Sequence, residues 1–459
     1  MVARNLRTTM RRAGGLALVS FLVFLSGSPA YPESQDRSFI LDNGLRVVLH
    51  EKHELPLLHI VTAFDVGSKN ETEATNGLVH LLEHCILFRG SAHRSGAEVG
   101  SDIRRHGAYF NANTGQDLSV FELSLPSEYA EFALRNQMDI LFHFELGQAA
   151  LDEEKEVILE ELNQMEDDPD RMAADLILQA IFAGHPYGRS VYGRREVIRK
   201  AAVDEVLDFY RKYFVADNCA LAVIGDFVTA EMERLIRTVF GSLPKAGLSP
   251  EEFPMAVPLK KSLTQRLERD VKDGYLFLGY VAPDYNHADQ YAVTVLTEVL
   301  GRGVNPLLPS LLRSERGSLQ TVNVAYLANR FGGAVIVSIR AAPKDIPYLE
   351  RAAVNRLRHA QNEAFSKEDF QGEAELYAFE YLGSAKNQIR ISFERANETG
   401  LQLAGSLARY MLLNTREKPG RFLDEIGKVD SGDLRKAASR YLGRGEFAAV
   451  TVLPKKEDR

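Results

Sequence analysis

Short apolar runs alternate along most of the chain with longer segments whose apolar residues recur every three or four positions. The short runs predict strands at residues 45–50, 57–65, 118–125, 275–281 and 334–340. The longer segments predict helices at residues 78–87, 127–143, 153–165, 288–300 and 347–364. Strands clustered with helical hairpins predict an α+β fold in which each sheet carries helices on one face.

The chain contains the same helix–turn–strand ending twice. Seven residues separate Tyr213 from Ala220 in the first copy, and seven separate Tyr441 from Ala448 in the second. Between the copies, residues 241–258 hold four prolines and two glycines, which disfavours a helix or a central strand. We therefore predict two homologous domains, at residues 36–240 and 263–459, joined by a linker at residues 241–262. Each domain should contain a mixed sheet rich in antiparallel pairs.

The first 30 residues have the order of a secretory signal peptide. Four arginines precede an apolar run of ten residues, and the small residues Ser28 and Ala30 stand before the expected cleavage site. Because ten residues are too few to cross a bilayer comfortably, we expect cleavage, no stable membrane span and a periplasmic location. The alternative is an uncleaved membrane anchor.

Charge and cysteine content narrow the class of protein further. The formal net charge is −8, and removing the four arginines of residues 1–30, which contain no acid, makes it −12. An acidic protein argues against nucleic acid as the main partner. The two cysteines, Cys85 and Cys219, cannot build a disulfide framework, and their apolar surroundings predict buried thiols.

Residues 77–90, GLVHLLEHCILFRG, place three costly polar groups in an apolar helix. His80 and His84 are four residues apart, so both imidazoles can reach one ion from one helix face. Glu83 can lean over the same ion without binding it. The spacing predicts a metal site, whereas the alternative is a helix with buried histidines that have other partners.

A catalytic zinc needs a third protein ligand and one open position for water. The acid-rich helix at 153–165 offers two pairs seven residues apart, and each pair shares one stripe of the helix. These are Glu154 with Glu161 and Glu153 with Glu160, and spacing alone does not choose between them. A solvated charged face is the ordinary alternative for such a helix.

The His-x-x-Glu-His order is the inverse of the thermolysin-type motif and is the inverzincin signature. The chain resembles pitrilysin/insulinase-type zinc metallopeptidases, in particular their short members of the mitochondrial-processing-peptidase type. This resemblance rests on the motif together with residues 41–47, 154–162, 167–171 and 185–188. The resemblance implies one Zn²⁺ per chain, held by His80, His84 and Glu161 in a catalytic N-terminal domain. It also implies Glu83 as the general base and Glu154 as a support behind the ligands.

Two further segments of the resemblance concern the substrate. Residues 107–123 resemble an edge strand that pairs with the bound peptide, which implies substrate contacts at Asn111 and Ala112. Residues 300–317 resemble the segment that leads to the family's Arg…Tyr pair, which implies a substrate contact at Arg313. The tyrosine should follow seven residues later, where this chain has Gln320.

The resemblance implies a zinc endopeptidase that cleaves extended peptides or unfolded polypeptides. The departure at Gln320 favours the catalytic subunit of a two-chain chamber, whose homologous partner lacks zinc and brings the Arg…Tyr pair. A homodimer with a weakened site is the alternative. A non-enzymatic scaffold subunit and a plain metal carrier are the competing classes, and the intact His80, Glu83, His84 and Glu161 argue against the scaffold.

Overall fold

The structure is a computed structural model that describes residues 36–249, 251–302, 306–315, 319–362, 375–413 and 419–455. The predicted signal peptide at residues 1–30 lies outside the described residues. Within the described ranges, no helix combines the length and the apolar character needed to cross a membrane.

The N-terminal half contains the strands and helices predicted for it, together with further elements that the periodicity did not predict. In chain order they are β1 (Arg37–Ile40), β2 (Arg46–Glu51), β3 (Leu57–Phe64), α1 (Leu78–Arg89), α2 (Gly96–Arg105), β4 (Tyr109–Thr114), β5 (Ser119–Pro126), α3 (Ala130–Phe142), α4 (Gln148–Asp167), α5 (Pro169–Ile181), α6 (Arg195–Lys200), α7 (Val203–Tyr213), β6 (Cys219–Gly225) and α8 (Thr229–Phe240).

The C-terminal half begins after residues 241–262, in whose described part no helix or strand forms. Its elements are β7 (Leu263–Arg269), β8 (Gly274–Ala282), α9 (Gln290–Gly301), α10 (Leu307–Glu315), β9 (Thr321–Asn329), β10 (Gly332–Ala341), α11 (Ile346–Arg358), α12 (Glu375–Arg395), α13 (Gly400–Leu413), α14 (Pro419–Lys428), α15 (Ser431–Ala437) and β11 (Ala448–Pro454).

The two sheets share one topology, except that the first carries β1 as an additional edge strand. Among the described residues, the first sheet has the order β1-β2-β6-β3-β5-β4 and the second has the order β7-β11-β8-β10-β9. In each sheet one pair is parallel, β2 with β6 and β7 with β11, and the other pairs are antiparallel. The last strands of the two halves, β6 and β11, occupy equivalent positions, which confirms the predicted α+β fold with two homologous domains.

Each half also contributes one helix to the sheet of the other half. Helix α5 packs on β8 and β11 of the second sheet, and α13 packs on β3 and β6 of the first. The main apolar core therefore continues from the helices of the N-terminal half to buried residues of the second sheet such as Phe277 and Val450. Burial of this shared surface couples the two halves, because separating them would expose both faces to water.

Local sequence explains where the helices that matter for the site begin and end. Helix α4 ends where Asp168 caps α5, because its carboxylate accepts from the backbone N–H groups of Asp170 and Arg171 at 3.0 and 3.2 Å. Pro169 is the first residue of α5, where its missing N–H costs nothing. Helix α1 begins after Gly77, whose φ of 109° and close approach to Ile198 exclude a side chain there.

Candidate metal centre

Helix α1 presents two imidazoles on one face. His80 and His84 are one turn apart, and their ring centroids lie 4.8 Å apart with the ring planes at 88°. Both residues sit in a helix whose other side chains are largely buried against the N-terminal core. The apolar surroundings hold the two rings in a fixed relation, which a metal site requires.

Helix α4 brings Glu161 to the same point. Its Oε2 atom lies 3.7 Å from Nε2 of His80 and 3.6 Å from Nε2 of His84, and the three candidate ligand atoms lie within 4.8 Å of one another. A tetrahedral zinc with bonds of about 2.0 Å separates its ligand atoms by about 3.3 Å. Two imidazoles and one carboxylate at these distances fit a catalytic zinc with an open position for water.

The structure distinguishes the two glutamate pairs of α4. Glu154 is buried and Glu161 turns toward α1, whereas 66% of the Glu153 side chain is exposed and Glu160 is bonded to Asn163 at the surface. The apolar residues Val157, Ile158 and Leu162 predict a buried side for this helix, and that prediction is partly wrong. Ile158 and Leu162 are buried as expected, but Val157 is 43% exposed because it lies on the stripe beside Glu161.

Glu154 stands behind His84 rather than beside the open face of the centre. Its Oε2 lies 3.4 Å from Nδ1 of His84, and its Oε1 accepts from Nε of Arg89 at 2.5 Å. Arg89, in the last turn of α1, also donates to Glu153 at 2.5 Å. Arg89 was not identified from the sequence as part of the site. The one feature that could have indicated it is a cationic residue five positions after the second histidine of the motif.

We expect Glu154→Ala to weaken zinc binding by about 10- to 100-fold, because the His84 ring loses the group that orients it and Arg89 loses its buried partner. Competition with a calibrated chelator measures the affinity. Glu153→Ala is the matched control, since it removes the other carboxylate on Arg89 but one that is mostly exposed. Equal losses of affinity in the two variants would show that Glu154 does not support the ligand.

Glu83 lies between the two histidines in the sequence of α1 and is only 6% exposed. Burial raises the pKa of its carboxyl group above the ordinary value, and the neighbouring Thr114 at the end of β4 partly offsets that effect. A carboxyl group with a raised pKa, on the same helix turn as two candidate metal ligands, is suited to accept a proton and to release it again.

The two histidines differ in their surroundings. Burial and, to a smaller extent, the nearby His84 lower the pKa of His80 to about 4, so the ring is neutral and can bind a metal. Its Nδ1 atom is buried and makes no well-formed hydrogen bond within the described residues. Burial also acts to lower the pKa of His84, but the carboxylates of Glu154, Glu161 and Glu83 outweigh it and raise that pKa.

The predicted substrate strand β4 is an edge strand. It pairs with β5 on one side, and no strand among the described residues pairs with its other side. Asn111 is exposed and Ala112 is buried, so successive side chains alternate across the sheet. Because α1 contacts β4 directly, the free strand edge and the metal centre are neighbours.

The residues predicted from the C-terminal half and the two cysteines are not among the candidate ligands, although Cys85 directly follows His84 in α1. Arg313 is exposed near the end of α10, and no contact within the described residues joins it to the three candidate ligands. Gln320 donates from Nε2 to Asp273 at 2.8 Å. Cys85 and Cys219 are free and buried, and burial raises the pKa of both thiols, that of Cys85 to about 12.

Comparison with known proteins places the chain in a family. The profile described as Insulinase (Peptidase family M16) matches residues 46–195, and the one described as Peptidase M16 inactive domain matches residues 200–376. Together they take in the candidate metal centre and every strand from β2 to β10. The chain belongs to peptidase family M16. The family predicted from the His-x-x-Glu-His motif and its companion segments is thereby confirmed.

Other M16 proteins resemble the chain over nearly its full length. The uncharacterized zinc protease YmxG of Bacillus subtilis is 22% identical over 421 residues, which cover 91% of this chain and 98% of that protein. A probable mitochondrial-processing peptidase subunit beta of Schizosaccharomyces pombe is 24% identical over 455 residues, covering 94% and 93%. These M16 relatives support a peptidase class for the chain.

The fold of this M16 chain is also that of a solved structure. The crystal structure of a protease from Helicobacter pylori superposes with a TM-score of 0.80 at 21% identity, covering 92% of this chain and all of that one. The shared fold includes both sheets, in keeping with the two homologous domains described above.

Proposed function

We propose that the chain is a zinc-dependent endopeptidase whose metal is held by His80, His84 and Glu161 and whose general base is Glu83. The observation that carries the proposal is the convergence of two imidazoles and one carboxylate on helices α1 and α4, with the buried Glu83 on the same turn of α1 and the edge strand β4 in contact with that helix. The M16 relatives named as zinc proteases support both the metal and the class of reaction.

The metal and the side chains of the protein contribute different parts of the proposed reaction. When bound, zinc would polarise the carbonyl group of the substrate and lower the pKa of a bound water. Glu83 takes a proton from the attacking water and delivers it to the amine that leaves when the peptide bond breaks. Glu154, itself held by Arg89, orients the His84 ring, since it contacts Nδ1 and leaves Nε2 facing Glu161.

The free edge of β4 defines the class of substrate. A polypeptide that adds to this edge must be extended, because its own N–H and C=O groups replace those of a missing neighbouring strand. Backbone pairing recognises any extended sequence, so we infer peptides and unfolded polypeptides rather than one folded partner. Asn111 and Ala112 would flank the bound strand on opposite faces of the sheet.

A second, homologous subunit without zinc completes the proposed enzyme. Gln320 supports this part of the proposal, because its side chain is engaged by Asp273 and cannot supply a phenol. The relative from Schizosaccharomyces pombe is itself named a subunit. We infer a two-chain chamber, located in the periplasm if residues 1–30 act as a signal, with a homodimer as the alternative.

Metal removal tests the proposal. The protein isolated from its source with any partner should cleave a quenched fluorescent, unstructured peptide, lose that activity on dialysis against a chelator, and regain it with one equivalent of Zn²⁺ per chain. Circular dichroism before and after dialysis controls for unfolding. A native particle with full zinc content that cleaves none of a broad panel of unstructured peptides would overturn the proposal and leave the scaffold class.

A further inference from the structure

A second set of two imidazoles and one carboxylate converges outside the metal centre. His93 lies in the loop between α1 and α2, while Asp139 and His143 lie one turn apart at the end of α3. Nδ1 of His93 is 2.6 Å and Nδ1 of His143 is 3.9 Å from the same Oδ1 atom of Asp139. None of the three contacts the candidate ligands of the first centre.

The two sets are alike in geometry. The ring centroids of His93 and His143 lie 4.9 Å apart with planes at 88°, compared with 4.8 Å and 88° for His80 and His84. In each set one carboxylate oxygen faces a nitrogen of both rings. The separations of 2.6 and 3.9 Å bracket the spacing of about 3.3 Å that a tetrahedral zinc requires, so a shift of under about 1 Å would suffice.

The carboxylate of Asp139 is fixed so that one oxygen remains for the imidazoles. Its Oδ2 atom accepts from Oγ of Ser91 at 2.9 Å and from Nε of Arg94 at 2.8 Å. Asp102 in turn accepts from Arg94 at 3.1 Å, which balances the positive charge near the set.

The loop that carries His93 is tied to α3 by its backbone as well. The N–H of Ala92 donates to the carbonyl of His143 at 2.7 Å, and the hydroxyl of Ser91 bonds Asp139 as described. The three side chains that could ligate a metal, those of His93, Asp139 and His143, are therefore held together before any ion binds. Such an arrangement reduces the ordering cost that a surface metal site usually carries.

We propose that His93, Asp139 and His143 form a second divalent-metal site, with Zn²⁺ as its metal and water at its remaining positions. Imidazole ligands favour zinc and its neighbours over Mg²⁺ and Ca²⁺, which prefer oxygen. The site is more exposed than the first centre, so it binds more weakly and fills after it. Its occupation cross-links the α1–α2 loop to the end of α3.

Calorimetric titration of the metal-free full chain with Zn²⁺ tests the site. The wild type should bind two equivalents, and the double variant His93→Gln/His143→Gln should bind one, with the tighter affinity unchanged. His53→Gln is the matched control, because His53 is exposed and bonds two carboxylates, Asp226 at 2.6 Å and Glu51 at 2.8 Å, without a second imidazole. It should leave both equivalents in place.

A complementary variant separates this site from the proposed peptidase centre. His80→Ala/His84→Ala should abolish the tighter equivalent and keep the weaker one, whether or not the chain proves to be a peptidase. If the double variant at His93 and His143 misfolds, His93→Gln alone, at a largely exposed position, should still weaken the second equivalent. The site is refuted if the wild type binds one equivalent only, or if the second equivalent persists in the folded double variant.

Discussion

Glu83→Gln is expected to leave the zinc content of the protein unchanged and to lower kcat by about 10²- to 10⁴-fold. The glutamine keeps the size of the buried side chain but cannot take a proton from water. His80, His84 and Glu161 are untouched, so the metal remains. Single-turnover cleavage of an unstructured peptide, together with zinc analysis of the same sample, measures both quantities.

Glu160→Gln is the matched control for this experiment. It makes the same change on α4, at an exposed residue whose carboxylate bonds Asn163, and it should retain the wild-type kcat. If Glu83→Gln cleaved as fast as wild type with full zinc, another group would be the base. If it lost zinc, Glu83 would act as a ligand rather than a base.

The sequence predicted the parts of the fold and the site that rest on local spacing. The four-residue interval between His80 and His84 placed both on one face of α1, and apolar periodicity located the five strands that it predicted to within one or two residues. Spacing did not choose between the glutamate pairs of α4, because Glu153 and Glu160 repeat the same interval. In the structure α4 packs with Glu154 inward against α1, and that choice depends on tertiary contacts.

The features that the sequence did not reveal join residues far apart in the chain. The exchange of α5 and α13 between the two halves follows from the shape of the cores and leaves no periodic signal. The contacts of Arg89 with Glu154 and of Arg330 with Asp65 span 65 and 265 residues. A lone arginine in a helix or turn is usually solvated, so neither pairing could be inferred without a structure.

Asp117→Ala is expected to reduce the free energy of unfolding by about 3–5 kcal/mol, because it removes a buried charge that several groups share. The Asp117 carboxylate, 4% exposed, accepts from the Tyr187 hydroxyl at 2.6 Å and from the backbone N–H of Arg330 at 3.0 Å. The ammonium of Lys69 lies 4.0 Å away and is itself buried. Urea unfolding, followed by far-UV circular dichroism, measures the loss.

These contacts join the turn between β4 and β5 to the β9–β10 turn of the other half, so the effect should extend beyond Asp117 itself. Asp270→Ala, at an exposed turn residue, is the control and should change stability by under about 0.5 kcal/mol.

Tyr187→Phe removes a hydroxyl that bonds both Asp117 and the N–H of Phe331. A double-mutant cycle of the Asp117 and Tyr187 variants should therefore give a coupling above about 1 kcal/mol. Additive losses would mean that the two groups act separately.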